Sequence, residues 1–289
     1  MSISIEQFNK TLNESVSSNL NFHKWSGYRD AVTDYIKFYK NKNGTCVILG
    51  AGNIMDINLG ELINPEYQTV LADIDIKSVN GGIERHGAVD NIAVIKSDLG
   101  GLDAEAVMEK TSLLIKGNDI AGLNKYLETY KFKIGSETDD FDNVMLSSVY
   151  TQLFIPQFLY ILQQSAINDN AKQVALETAL KFTAKLIKHV NDEIIRMAAT
   201  GASVCAWSDI LEYADGDISL YDIKNHIKDK VWMDEFYQTY VRDYGHGLGS
   251  YGITDLARRL GDLTEKWLLW PFSKERTMIV KIIAGKITS

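Results

Sequence analysis

The sequence predicts an α/β fold: a mostly parallel sheet with helices on both faces, closed by an antiparallel C-terminal hairpin. Short apolar runs at 46–49, 69–72, 92–95, 144–146 and 204–207 are separated by segments with helical spacing, and strands that alternate with helices make parallel sheets. Two further strand-like runs, 266–270 and 277–284, are split only by PFSKER, which is too short for a crossover helix. Hydrophobic residues make up 45% of the 289, enough for a sizeable core.

Along the chain, residues 5–18 and 27–40 have helical spacing. In the second of these, Tyr28, Ala31, Val32, Tyr35, Ile36 and Tyr39 recur on one side, and Lys-Asn-Gly at 42–44 ends the element. Tyr28 and Tyr35 are expected in an aromatic core stripe and Arg29 on a solvated face. Between the third and fourth strands there is room for two helices, over 104–116 and 120–130. A long helix over 171–199 carries Leu176, Leu180, Ala184, Ile187, Val190 and Ile194 at three- and four-residue steps, a face for the sheet, with Lys181, Lys185 and Lys188 on its wet side. The run DYGHGLGSYG, 243–252, holds four glycines, which predicts a mobile loop and no regular helix. Pro271 falls in the hairpin turn, where a missing N–H costs least.

Charge and composition exclude several classes. A formal charge of −8 and a pI near 5.2 argue against general nucleic-acid binding, which needs a basic surface. Cys46 and Cys205 sit in apolar stretches without metal-ligand spacing and read as core thiols, so a reduced, cytoplasmic protein with no metal is expected. No signal pattern opens the chain and no apolar run is long enough to span a bilayer, so no membrane partner is expected.

The first strand stops at Gly50-Ala51-Gly52 in CVILGAGNIMDINLGEL. A buried strand ending in Gly-x-Gly brings backbone close to a ligand. A Walker loop is excluded because no lysine and hydroxyl follow the second glycine. A dinucleotide fingerprint needs a third glycine where Met55 stands. An adenosyl group remains, and Asp73 or Asp75, at the end of the second strand, stands where a residue for ribose hydroxyls belongs. Each signal has a structural counterpart: glycine for positive φ, Asp73 and Asp75 as an exposed strand end, Asp98 as a turn starter.

VILGAGNIMDINL, VLADIDIKSV, AVIKSDLGGL and FDNVMLSSVYTQL resemble the first four strand ends of the class I S-adenosylmethionine-dependent methyltransferases over roughly residues 45–155. The resemblance implies a Rossmann-like seven-stranded sheet and S-adenosylmethionine as cofactor. It implies that Gly50 and Gly52 lie beside the methionine part, Asp73 on the ribose and Asp98 near the adenine. Ala51, Asn53, Ile74, Leu99 and Ser147 complete the implied cofactor-binding set. The sequence departs from the commoner pattern at Ile54, where another glycine is usual, and there Asn53 or Asp56 would cap a helix or reach the methionine amino group.

The implied layout is one methyltransferase-like domain over 1–289, with N-terminal helices over 1–43 and a core over 44–289 carrying insertions near 99–141 and 210–265. His23, Trp25, Tyr28 and Arg29 lie where helices in this superfamily cover the cofactor, and there Arg29 could bind a carboxylate. The implied reaction is methyl transfer to a small-molecule substrate, with oligomeric state left open. Tyr150 and Gln152 after the fourth strand, and Ser208 and Asp209 after the fifth, are candidates to face the acceptor. Tyr150 and His246 are the catalytic candidates, His246 on a loop that closes over the acceptor with Tyr244 and Tyr251. Two alternatives stay open: transfer of another group, such as aminopropyl, from a related cofactor, and a silent binding protein with this fold.

Overall fold

A computed structural model of the chain describes residues 19–87, 90–133 and 140–288. The helix expected over 5–18 lies outside the described residues. The described elements run α1 (Asn19–Lys24), α2 (Ser26–Tyr39), β1 (Cys46–Leu49), α3 (Leu59–Leu62), β2 (Thr69–Asp73), α4 (Ile76–His86), β3 (Ile92–Lys96), α5 (Ala104–Lys116), α6 (Ile120–Thr129), β4 (Phe141–Ser147), α7 (Ile155–Gln163), α8 (Asp169–Met197), β5 (Ala198–Ala214), α9 (Ile218–His226), α10 (Lys230–Tyr244), α11 (Leu248–Ala257), β6 (Gly261–Trp270) and β7 (Arg276–Lys286). Side-chain oxygens of Asp75, Asp119 and Asn168 accept backbone N–H bonds at the starts of α4, α6 and α8, as N-caps do.

The seven strands form one sheet in the order β3-β2-β1-β4-β5-β7-β6. Strands β1 to β5 pair in parallel, and β7 runs antiparallel to both neighbours. The mostly parallel sheet with a terminal antiparallel hairpin is therefore as expected. All four residues of β1 are buried because the strand is covered on both faces. On one face Ile48, Met145, Cys205 and Trp207 meet Trp25, Tyr28, Val32 and Ile36 of the N-terminal helices. On the other, Val47, Leu49, Val144 and Val204 meet Ile187 and Val190 of α8 and Ile253 and Leu256 of α11. Both cysteines are buried and unbridged. No helix among the described residues is long and apolar enough to cross a membrane.

Four sequence expectations are corrected. The buried face of α8 runs through Ala175, Ala179, Phe182 and Leu186 before reaching Ile187, while Leu180 is 41% exposed. The first half of α8 packs on α5, α6 and α7, which turns its buried side away from the expected one. Strand β5 extends well beyond 204–207, because its outer half pairs with β7 through Ala214 and so tolerates polar residues. Arg29 is 6% exposed and not solvated: Nε donates to Asn58 Oδ1 at 2.7 Å, and the guanidinium lies 3.8 Å from the Phe22 ring centroid.

The fourth correction concerns 243–252, which is mostly helical, with only 245–247 connecting α10 to α11. Its second half is the first half of α11, with Gly249 and Gly252 buried. A Cβ on Gly249 would overlap the Asp209 carbonyl oxygen, and one on Gly252 would overlap the Tyr150 ring. These glycines are there so that a helix can lie directly on β5 and on Tyr150.

Candidate functional site

Strand order reverses between β1 and β4, since the chain builds outward from β1 through β2 to β3 and then restarts at β4 on the other side. In open parallel sheets, ligands bind at the carboxyl ends of the strands beside such a switch point. A cavity of about 460 Å³ opens there, within the ~300–1,000 Å³ of small-molecule sites. Residues 50–53, Asp73, Ile74, Asp98, Leu99 and Ser147 all line it.

The glycine turn is built by several contacts. Gly50 N–H donates to Ala72 O at 2.9 Å, and Gly52 N–H donates to Asp73 Oδ2 at 2.8 Å. Asp73 Oδ1 accepts from Asp75 N–H at 2.8 Å, so one carboxylate ties the turn to the end of β2. Gly50 (φ 67°) lacks a side chain for an internal reason: a Cβ would overlap Val149 Cγ2 and lie 3.2 Å from Ser147 O. Gly50→Val would therefore disturb the fold as well as any ligand contact. At Gly52 (φ 51°) the nearest atom to a Cβ is Gly50 O at 3.9 Å, so this stretch of cavity wall is bare backbone.

No full helix follows the turn, as α3 is a single turn starting at Leu59. Asp56 caps nothing. It is buried, and its Oδ2 accepts from Trp207 Nε1 at 2.6 Å and Ser147 Oγ at 2.9 Å, which joins the turn to the ends of β4 and β5. Burial pushes the carboxyls of Asp56, Asp73 and Asp209 above the usual range in spite of these hydrogen bonds.

Ile54 takes φ 53° where the commoner pattern has glycine. The glycine-like backbone is therefore kept, with a β-branched side chain in a conformation that costs about 1–2 kcal/mol. The side chain is 1% exposed in the core, His86 Nε2 lies 2.8 Å from Ile54 O, and Arg85 donates to Asn53 O at 3.0 Å. Helix α4 comes this near because Gly82 has no Cβ to meet Asn53 O at 2.7 Å. Ile54→Gly is expected to be more stable than Ile54→Ala by about 1 kcal/mol, since both lose the side chain and only glycine loses the strain. Urea unfolding midpoints check this.

The two catalytic candidates lie off the cavity. Tyr150 is fully buried; its hydroxyl donates to Asn191 Oδ1 at 2.7 Å, and Asn191 Nδ2 donates to Gly252 O at 3.2 Å. Burial holds its pKa far above the usual tyrosine value, so it is a rivet between β4, α8 and α11 and not a base. His246 is exposed at the start of α11, 3.3 Å from the Tyr237 hydroxyl. Ser208, Tyr244 and Tyr251 also fail to line the cavity, whereas Gln152 and Asp209 do.

No protein-family model and no curated protein matches the chain. Solved structures resemble it in overall form. They include the N-methyltransferase NodS from Bradyrhizobium japonicum with S-adenosyl-L-homocysteine (10% identity, 97% of this chain and 98% of that one, TM-score 0.43). Others are SAM-dependent methyltransferases from Methanosarcina mazei (12%, 88% and 98%, 0.45) and Thermotoga maritima (11%, 96% and 97%, 0.44). At these TM-scores the likeness assigns neither cofactor nor acceptor.

Further cavity residues escaped the sequence patterns. Ser148 (φ 42°) and Phe154 (φ 50°) follow β4 with positive φ, and such strain gathers at ligand sites. Trp270, Phe272 and Met278 enter from the C-terminal hairpin, which the sequence marks only as the closing edge of the sheet.

The raised carboxyls make a pH-dependent prediction. Between the usual carboxylate range near 4 and the raised value, the native state holds protons that the unfolded chain has lost. Stability therefore falls as pH rises through that window. Asp209→Asn is expected to be more stable than wild type near neutral pH, with the gap closing toward about pH 4, as read by denaturant unfolding at several pH values.

Proposed function

We propose that this cavity binds S-adenosylmethionine and that the protein, as one methyltransferase-like domain in the cytoplasm, transfers the methyl group to a small-molecule acceptor. One observation carries the reading: four strand ends in succession bring the glycine turn, Asp73, Asp98 and Ser147 to one cavity at the switch point. The donor set fits the cofactor. A carboxylate offers about four lone-pair sites, and the backbone N–H groups of Gly52, Asp75 and Ile74 act on Asp73, which leaves it room to accept from a ribose hydroxyl. Asp98 Oδ1 accepts from Gly100 N–H at 3.1 Å, which holds the 98–100 turn against the cavity beside Leu99 and Leu102, walls suited to a purine.

When bound, the cofactor supplies a methyl carbon already activated by its sulfonium. The chain's part is to position and to exclude water. Bare backbone at Gly52 admits the methionine portion, and Thr151, Gln152 and Asp209 line the cavity for the acceptor. Calorimetric titration with S-adenosylmethionine and S-adenosylhomocysteine should give one site for each, and failure of both to bind would remove this reading. Product analysis with a labelled methyl group separates methyl from aminopropyl transfer.

A further inference from the structure

We propose that the end of the cavity between β5, β7 and the β6–β7 turn holds the acceptor as a protonated amine on a flat apolar framework, with Asp209 as its counter-charge and Trp25, Trp270 and Phe272 as its walls. The inference rests on the methyl-transfer reading for what fills the other end. Trp25 and Trp270 meet edge to face at 4.8 Å, Trp25 and Phe272 lie 5.8 Å apart at 23°, and Trp270 and Phe272 are 5.0 Å apart at 88°. All three line the cavity. Tyr28 stacks on Trp270 at 5.2 Å and Arg276 lies 5.1 Å over the Phe272 ring, so the wall offers the remaining ring edges and apolar surface to a flat framework, and the charge is left to Asp209.

Asp209 reaches this end because β5 places it on the same face as Trp207, just before the register shift against β7 at Ile210. Its Oδ1 accepts from Thr151 Oγ1 at 2.9 Å. Ser208 Oγ lies 3.5 Å from the same oxygen, and no Lys or Arg among the described residues acts on the carboxylate. The neighbouring charges are already matched. Glu212 pairs with Arg276 at 3.2 Å, and Asp56 accepts two hydrogen bonds and feels the field of Arg29. Asp209 is a carboxylate at this end of the cavity with no cation beside it, and burial raises its pKa. A protonated amine satisfies Asp209 on arrival. It can then pass one N–H proton to Oδ2, which leaves a neutral nitrogen with a free lone pair and a neutral carboxyl group.

The test uses intrinsic tryptophan fluorescence, to which Trp25 and Trp270 contribute two of five tryptophans, with calorimetry beside it. The protein is titrated near neutral pH with 2-phenylethylamine and with its neutral isostere 2-phenylethanol, with and without saturating S-adenosylhomocysteine. Wild type should prefer the amine by about tenfold or more, the scale of one charge-assisted hydrogen bond. Asp209→Asn, which keeps an acceptor for Thr151, should lose that preference with unchanged S-adenosylhomocysteine affinity. Phe272→Leu, on the half-buried turn, should weaken the amine severalfold. Equal binding of amine and alcohol by wild type, or a preference that survives in folded Asp209→Asn, overturns the inference. So does an Asp209→Asn variant that loses affinity for the charged cofactor alone, since the carboxylate would then face the sulfonium. Amine preference without any S-adenosylhomocysteine binding would overturn the cofactor reading and leave the amine subsite standing.

Discussion

Asp73→Asn is expected to lower the affinity for S-adenosylhomocysteine by about ten- to a hundredfold, the worth of a charge-assisted hydrogen bond at a desolvated site. Two losses act together. The ribose hydroxyls lose an anionic acceptor, and one of its backbone donors, Gly52 N–H or Asp75 N–H, is left facing an amide NH₂. The second loss loosens the turn that presents bare backbone to the ligand. Calorimetry reads the affinity, and circular dichroism with thermal unfolding shows that the fold persists. Asp73→Lys should be worse, because it brings a cation to the same donors. An Asp73→Asn protein that binds as tightly as wild type would mean that the carboxylate serves the turn alone.

The larger effect on stability is expected at Gly249. Gly249→Val should destabilise by about 3 kcal/mol or more, the upper end of overpacking penalties. The new Cβ would overlap the Asp209 carbonyl oxygen and approach Ser208 Oγ to 2.7 Å, and neither a strand backbone nor a fully buried serine can retreat. Gly245, four residues earlier, is a control from the same glycine-rich run. It ends α10 at φ 82° and ψ 177°, a region that glycine alone occupies readily, with no atom within 4 Å of a Cβ, so Gly245→Ala should cost about 1–3 kcal/mol of backbone strain without any overlap. Denaturant midpoints separate the two. A Gly249→Val protein as stable as wild type would detach α11 from β5 and restore a mobile segment there. Because the clash is with Asp209 itself, a partly folded Gly249→Val protein should also lose the amine preference.

What the sequence by itself determined was local. A period-two or continuous apolar run ended by Gly, Asp or Ser marks a strand and its carboxyl end. Gly50, Asp73, Asp98 and Ser147 all belong to such ends, so their order along the chain was enough to bring them to one cavity. The hairpin was legible for the same reason, since six residues cannot cross over a sheet. Only the tertiary structure decided what depends on contacts between distant segments. Tyr150 follows a strand end, yet Asn191 and the missing side chain of Gly252 draw it into the core. The glycines of 247–252 have the composition of a loop, but a strand backbone lying against them makes them a helix. Arg29 looks solvated until Phe22 and Asn58 enclose it. The aromatic wall joins Trp25 to Trp270 and Phe272, more than two hundred positions away. Periodicity records the face a residue turns within its own element, and says nothing of which distant element arrives there to bury it, pair it or leave its charge unmatched.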